Sequence, residues 1–227
     1  MLSFVKGAID VTDLLTPRRL PRQVRGARRL ARLLDAAEAV FAEVGYEAAT
    51  TNAIAACAET SIGTLYRFFP HKDALAQALA DRFLADLRAL YDAALTPEAD
   101  VVRLPLPALL DRIVDPLAAF NVAHPGFTAL FADAPVSASH GAAVATLNED
   151  VVRRLDAIFA ARAPDEDPTA RRRHARVAVR IVKALLPPAT APDADAAERV
   201  AMLDELKVAL RAYIAASVPD ADVMREH

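Results

Sequence analysis

From residue 27 onward, apolar side chains return every three to four positions, the period of a helix with one buried face. Leu30, Leu33, Leu34, Ala37, Val40, Phe41 and Val44 form the first such stripe, and Gly45 behind it suits a left-handed C-terminal cap. Residues 1–26 carry no sustained period and include Pro17 and Pro21, so they read as a flexible arm with one turn of helix near 9–15. A short helix over 51–58 follows. Thr50 is its N-cap, and Ile54, Ala55 and Ala58 face inward. After a turn at Glu59-Thr60, a third helix is capped by Thr60 or Ser61. It ends near Phe68, because Pro70 pushes Phe69 out of helical conformation. Leu65, Phe68 and Phe69 are its apolar anchors. A long helix then runs from Lys72 to about Leu95 on a stripe of Leu75, Leu79, Phe83, Leu87 and Leu90.

Prolines punctuate the remainder. The pattern predicts helices over 107–123, 127–133, 138–163, 169–186 and 195–217, the fourth stopped by Pro187-Pro188. With 54% hydrophobic residues, six glycines and only short β-branched runs, the chain is predicted to be all-α. No apolar run approaches the roughly 18–20 residues of a membrane span. The amino terminus lacks a basic stretch followed by an apolar core, so a cytoplasmic protein is expected. Its single cysteine, Cys57, is expected to pack as a small hydrophobe on the second helix. The five histidines show no metal-ligand spacing, and neither a glycine-rich phosphate loop nor a nucleophile–base pair is present. No metal, no cofactor and no enzymatic activity are therefore expected.

Charge sharpens the picture. Net charge is −3, yet residues 1–73 hold ten Lys/Arg against eight Asp/Glu, while 74–227 hold seventeen against twenty-two. Residues 16–34 include seven arginines (18, 19, 22, 25, 28, 29 and 32) and no acid. A basic segment on an acidic protein suits a polyanion, because neutralising phosphates releases counterions. Beside it, the third helix exposes Ser61, Ile62, Gly63, Thr64, Tyr66 and Arg67. Gly63 permits close approach, Thr64 brings a hydroxyl and a methyl, and Arg67 suits either a guanine edge or a phosphate. Tyr66 can place its hydroxyl on a phosphate oxygen. Thr51 and Asn52 stand at the start of the second helix near its free amides, and Lys72 adds a cation.

Gly45-Tyr46, the run 50–55 (Thr-Thr-Asn-Ala-Ile-Ala) and the run 61–75 (Ser-Ile-Gly-Thr-Leu-Tyr-Arg-Phe-Phe-Pro-His-Lys-Asp-Ala-Leu) together resemble the DNA-binding core of the TetR family of transcriptional regulators. The resemblance covers about residues 27–75 and implies base contacts by Asn52, Ile62, Gly63, Thr64 and Tyr66. It implies phosphate contacts by Thr50, Thr51, Tyr66 and Lys72. It further implies a helix-turn-helix domain over 27–72 and a helical effector-binding and dimerisation domain over 73–227, joined by the linking helix 72–95. The expected partners are double-stranded DNA with a palindromic operator, a small apolar effector and a second copy of the chain. In such proteins the last two helices form the dimer interface, so the faces Val177, Ile181, Leu185 and Leu203, Leu206, Leu210, Tyr213, Ile214 are expected there. Phe83, Leu87, Phe120, His124, Phe127 and Phe131 cluster around the 124–126 helix break and are the candidate effector contacts. One departure stands out: Glu59 and Thr60 replace the usual turn glycine and the aliphatic residue after it. An acid in that turn invites a rival reading, a helical ligand-binding or interaction protein that has lost DNA affinity.

Overall fold

The helices predicted from the 3.6-residue period are present in a computed structural model, which describes residues 22–96, 99–131, 138–191 and 195–216. In chain order they are α1 (Arg22–Ala48), α2 (Thr51–Cys57), α3 (Ile62–Phe68), α4 (Lys72–Ala94), α5 (Ala99–Val102), α6 (Leu106–Ala123), α7 (Pro125–Phe131), α8 (Ala138–Arg162), α9 (Pro168–Ala189) and α10 (Ala196–Ala215). The turn of helix expected near 9–15 lies outside the described residues. The last five residues of the expected arm do not: they form the start of α1.

Helix α1 packs on α2, α4 and α7 through Leu33, Leu34, Ala37, Val40 and Phe41. Leu30 and Val44, expected on the same buried stripe, are 37% and 48% exposed. The partner helices α2 and α7 have seven residues each, about 10 Å of rod, and cover only the middle of a much longer helix. Gly45 breaks α1 at φ 76°, ψ 164°, an extended positive-φ conformation open to glycine and not the expected left-handed cap, and α1 resumes beyond it to Ala48. Helix α4 leaves this unit and packs against α6, α7 and α8, while α9 lies between α8 and α10 and α10 returns to α6. One continuous apolar core runs from Leu33 through Phe83 and Leu117 to Ile214.

Several expectations are corrected. Helix α9 continues through Pro187 and Pro188 to Ala189. The prolines fall in the last turn, where few intrahelical bonds remain to be lost, and Thr190 closes the end by donating its hydroxyl to the carbonyl of Leu186 at 2.9 Å and its amide to that of Pro187 at 3.2 Å. Helix α7 begins at Pro125, not at residue 127, since proline suits a first helical turn. Cys57 is exposed. The buried arc of α2 is Ile54 and Ala55, continued by Ala58, and Cys57 falls outside it. Leu206, Leu210 and Ile214 are buried within their own chain, so they are not available to a dimer face. What α10 leaves outside is Val200, Met202 and Val208.

None of the described helices ends on a glycine, and four have carbonyls at their ends taken by a cation from another helix. Lys72 serves α1 through Tyr46 and Glu47, and Arg32 serves α2 through Ala58. Arg112 serves α4 through Ala93 and Ala94; the fully buried Arg162 serves α5 through Val102 and Leu104. Such bonds satisfy orphan acceptors and oppose the negative end of the helix dipole.

Candidate nucleic-acid interface

The polar ends of α2 and α3 are fixed by their own side chains. Thr50 caps α2, accepting from the amide of Ala53 at 3.1 Å, and Ser61 caps α3, accepting from that of Thr64 at 3.2 Å. Ser61 and Thr64 also share a hydroxyl–hydroxyl bond of 2.9 Å, which orients the Thr64 side chain and leaves its methyl unengaged. Thr51 and Tyr66 meet at 3.2 Å, so two residues expected on the same phosphate side are already together. Asn52, Gly63, Tyr66 and Arg67 are exposed, and Ile62 is half-buried. A Cβ added to Gly63 would meet nothing within 4 Å. Among the described residues nothing requires glycine there.

The turn between these helices keeps its shape despite lacking glycine. Glu59 adopts φ 49°, the left-handed conformation that glycine would take without strain. Its carboxylate is paired with Arg32 of α1 at 3.2 Å. Arg29, Arg32 and Arg67 line one groove with Thr64, of about 290 Å³, directly beside α3. Arg25 and Arg28 are exposed on the same helix as Arg29. A basic collar therefore flanks the exposed face of α3.

Lys72 is engaged by the end of α1. Its ammonium donates to the carbonyls of Tyr46 at 2.8 Å and Glu47 at 3.1 Å and lies 4.5 Å from the Tyr46 ring centroid. Two of its three donors are spent on the end of α1, leaving one for a phosphate. The neighbouring Tyr46 hydroxyl donates to Asp73. Its pKa is pushed up to about 12, first by burial, then by that hydrogen bond and the negative charge of Asp73, with Glu47 adding to them. Together these contacts latch the start of α4 to the end of α1.

The profile described as bacterial regulatory proteins of the tetR family matches residues 33–79, and the one described as a tetracyclin repressor-like C-terminal domain matches 105–214. A TetR-family transcriptional regulator from Streptomyces coelicolor, solved as a crystal structure, is 30% identical; the match covers 84% of this chain and 99% of that one, with a TM-score of 0.54. The chain belongs to the TetR family of transcriptional regulators. Members of this family are DNA-binding regulators that act as dimers; they are not enzymes. A TetR-like transcriptional regulator from Rhodococcus sp. RHA1, 22% identical over 86% of this chain and 98% of its own, shares the fold at a TM-score of 0.62. The HTH-type transcriptional repressor KstR of Rhodococcus jostii (strain RHA1) is 46% identical over 56 residues. That match takes in 24% of this chain and 26% of the repressor, so the chain spans about a quarter of the length of this curated relative.

In the larger part of this TetR-family chain, the six candidate effector contacts pack on one another. Phe83 meets His124 at 5.4 Å, Phe127 at 5.7 Å and Phe120 at 6.2 Å between centroids; Phe127 meets Phe131 at 4.9 Å; and Leu87 is buried beside them. His124 Nδ1 also lies 3.0 Å from Glu38 of α1, whose other oxygen accepts from Arg82 of α4 at 2.8 Å. The cluster is the joint between α1, α4 and α7. The apolar cavity lies elsewhere, among α4, α6, α8, α9 and α10, and none of the six lines it. Glu38, Arg82 and the cavity walls went unnoticed in the sequence. An apolar wall and an apolar core have the same spacing, and a lone acid on a helix gives no sign of its distant partner.

Proposed function

We propose that this chain is a repressor that binds a palindromic operator as a homodimer in the cytoplasm and releases it when a small, largely apolar effector occupies the larger domain. The division proposed is a reading head from the start of α1 to residue 72 and an effector and dimerisation domain at 73–227, with α4 linking the two. The observation that carries this reading is the exposed face of α3. Its Gly63 has no neighbour to accommodate, its Tyr66 is tied to the phosphate side of α2, and arginines of α1 flank it. Such a face enters a major groove, where Asn52, Ile62, Gly63, Thr64 and Tyr66 meet bases. Thr50, Thr51, Ser61, Tyr66, Arg67 and Lys72 hold register on the backbone. Two such faces on a symmetric pair meet half-sites about one helical turn apart, roughly 34–36 Å.

The rival reading rested on Glu59. Its pairing with Arg32 and the preserved turn geometry remove the reason to expect lost DNA affinity. For the effector, the cavity lined by Tyr91, Ile113 and Val151 replaces the aromatic cluster, and the Glu38–Arg82–His124 joint carries the shift to α1. A gel-shift titration against the DNA flanking its own gene, at two salt concentrations, tests the first half. Binding to an inverted repeat that weakens with salt is expected, and indifference to every duplex would overturn it. Linkage tests the second half: an effector that weakens operator binding by some factor must itself be weakened by operator by the same factor.

A further inference from the structure

The cavity among α4, α6, α8, α9 and α10 has a volume of about 60 Å³ in this form, room for a few waters. Leu109, Ile113, Leu117, Val151, Phe159 and Ile214 are among its walls. Three polar side chains also line it, Tyr91 from α4, Asn148 from α8 and Lys183 from α9, and no carboxylate does. No described residue gives any of the three a hydrogen bond or an ion pair. The phenol of Tyr91 is pushed up to about 12 by burial alone, as befits a desolvated hydroxyl without a partner. Tyr91 and Asn148 are half-buried and Lys183 is exposed at the rim, so their donors are open to an incoming ligand. All three can donate a hydrogen bond, and one is a cation.

The surroundings repeat this sign of charge. Helix α9 holds six cations between Arg171 and Lys183 and no acid along its length. Arg172, Arg176 and Arg180 recur on the face that carries Lys183 and, with Arg173, line an open groove leading along it. Arg172 and Arg176 share one carboxylate, Glu149, at 3.2 and 3.6 Å; Arg173 and Arg180 have none among the described residues. Asp156, the one acid among the described residues of that groove, is taken by Arg171 at 2.9 Å. The field at the cavity therefore favours an anion and repels a cation.

Building on the effector reading above, we infer that the ligand of this cavity is an amphiphile with an apolar tail and an anionic head. The tail lies between α6 and α8, and the head is held by Lys183 with Asn148 and Tyr91 as neutral donors. Carboxylates and phosphate monoesters share this chemistry. A tail larger than the present volume separates the cavity walls, one of which is α4, the helix that begins at the reading head.

Calorimetric titration of the full chain with decanoate, decyl phosphate and 1-decanol tests this. Both head groups, or one of them, should bind at least about tenfold tighter than the alcohol, the scale of a hydrogen bond to a charged group. Whichever of the two anions binds tighter identifies the head. Lys183 is exposed, so Lys183→Met should fold; it should erase the anion's advantage while leaving decanol unchanged. Equal binding of decanol and both anions overturns the anionic head and leaves the apolar cavity standing. Undiminished anion binding by Lys183→Met places the anion on the arginine groove and overturns the inference. If no amphiphile binds, the cavity reading falls with it.

Discussion

A glutamate at φ 49° closes the turn before α3, where a residue with a Cβ carries strain of about 1 kcal/mol. Its compensation is the bond to Arg32, but both side chains are largely exposed, and exposed pairs contribute between nothing and about 1 kcal/mol. Strain outweighs the pair, so Glu59→Gly should stabilise the chain by about 0.5 kcal/mol in urea unfolding. A less stable variant would mean that the ion pair is the larger effect. Tyr46 makes a second residue-scale case. Its folded pKa of about 12 lies above the ordinary 10.0, so the protonated phenol is the form the fold prefers. Its contribution is complete below pH 10 and is lost as pH rises to about 12. Tyr46→Phe should therefore flatten the fall in stability over that window. Tyr91, raised by burial, supplies the part that remains.

Between elements, the contacts that decide packing are those of one helix on another's backbone. Gly126 at the start of α7 sits so close to α1 that an added Cβ would lie 2.7 Å from Glu38 Cγ and 2.9 Å from the Glu38 carbonyl oxygen. Since the second of these is backbone, α1 and α7 must separate, and Gly126→Ala should cost about 1–3 kcal/mol of thermal stability. If α1–α7 docking couples the two parts, the same variant changes how far an effector weakens operator binding, whereas a purely local defect changes melting alone. Much of this level was legible in the sequence, but unevenly. Thr50, Ser61 and Pro70 bound α2 and α3 because capping and proline chemistry act within four residues. The helix break at 124–126 was equally plain. What the break is for was not: the closeness of Gly126 to Glu38 is a contact across 88 positions, and no local rule reports it. The passage of α9 through two prolines was not legible either, since proline stops a helix in its interior but costs little in a last turn. The cavity among α4, α6, α8, α9 and α10 was not foreseen, because the walls of an apolar cavity have the same spacing as a core.

Across the whole molecule, Lys72 stands where stability and DNA affinity meet, and its two roles can be separated. As a cap, it satisfies the carbonyls of Tyr46 and Glu47 and fixes the angle at which α4 leaves the reading head. As a phosphate ligand, it would spend its third donor on the operator. Lys72→Ala removes both, and the lost cap alone should lower stability by about 1 kcal/mol, less than a buried charged bond because the site is partly exposed. The loss of affinity by itself therefore decides nothing, since a tilted α4 would also weaken binding. Salt dependence does decide. Each phosphate neutralised contributes about 0.9 to the slope of log affinity against log salt, and a symmetric pair carries two copies of Lys72. A phosphate role predicts a slope shallower by about 1.8 per dimer, at temperatures where the variant is fully folded. A capping role predicts weaker binding with the slope intact, because no counterion is released at Lys72 in either protein. Lys72→Arg separates them further. It keeps the charge and hence the slope, while a planar guanidinium meets the two carbonyls differently from an ammonium.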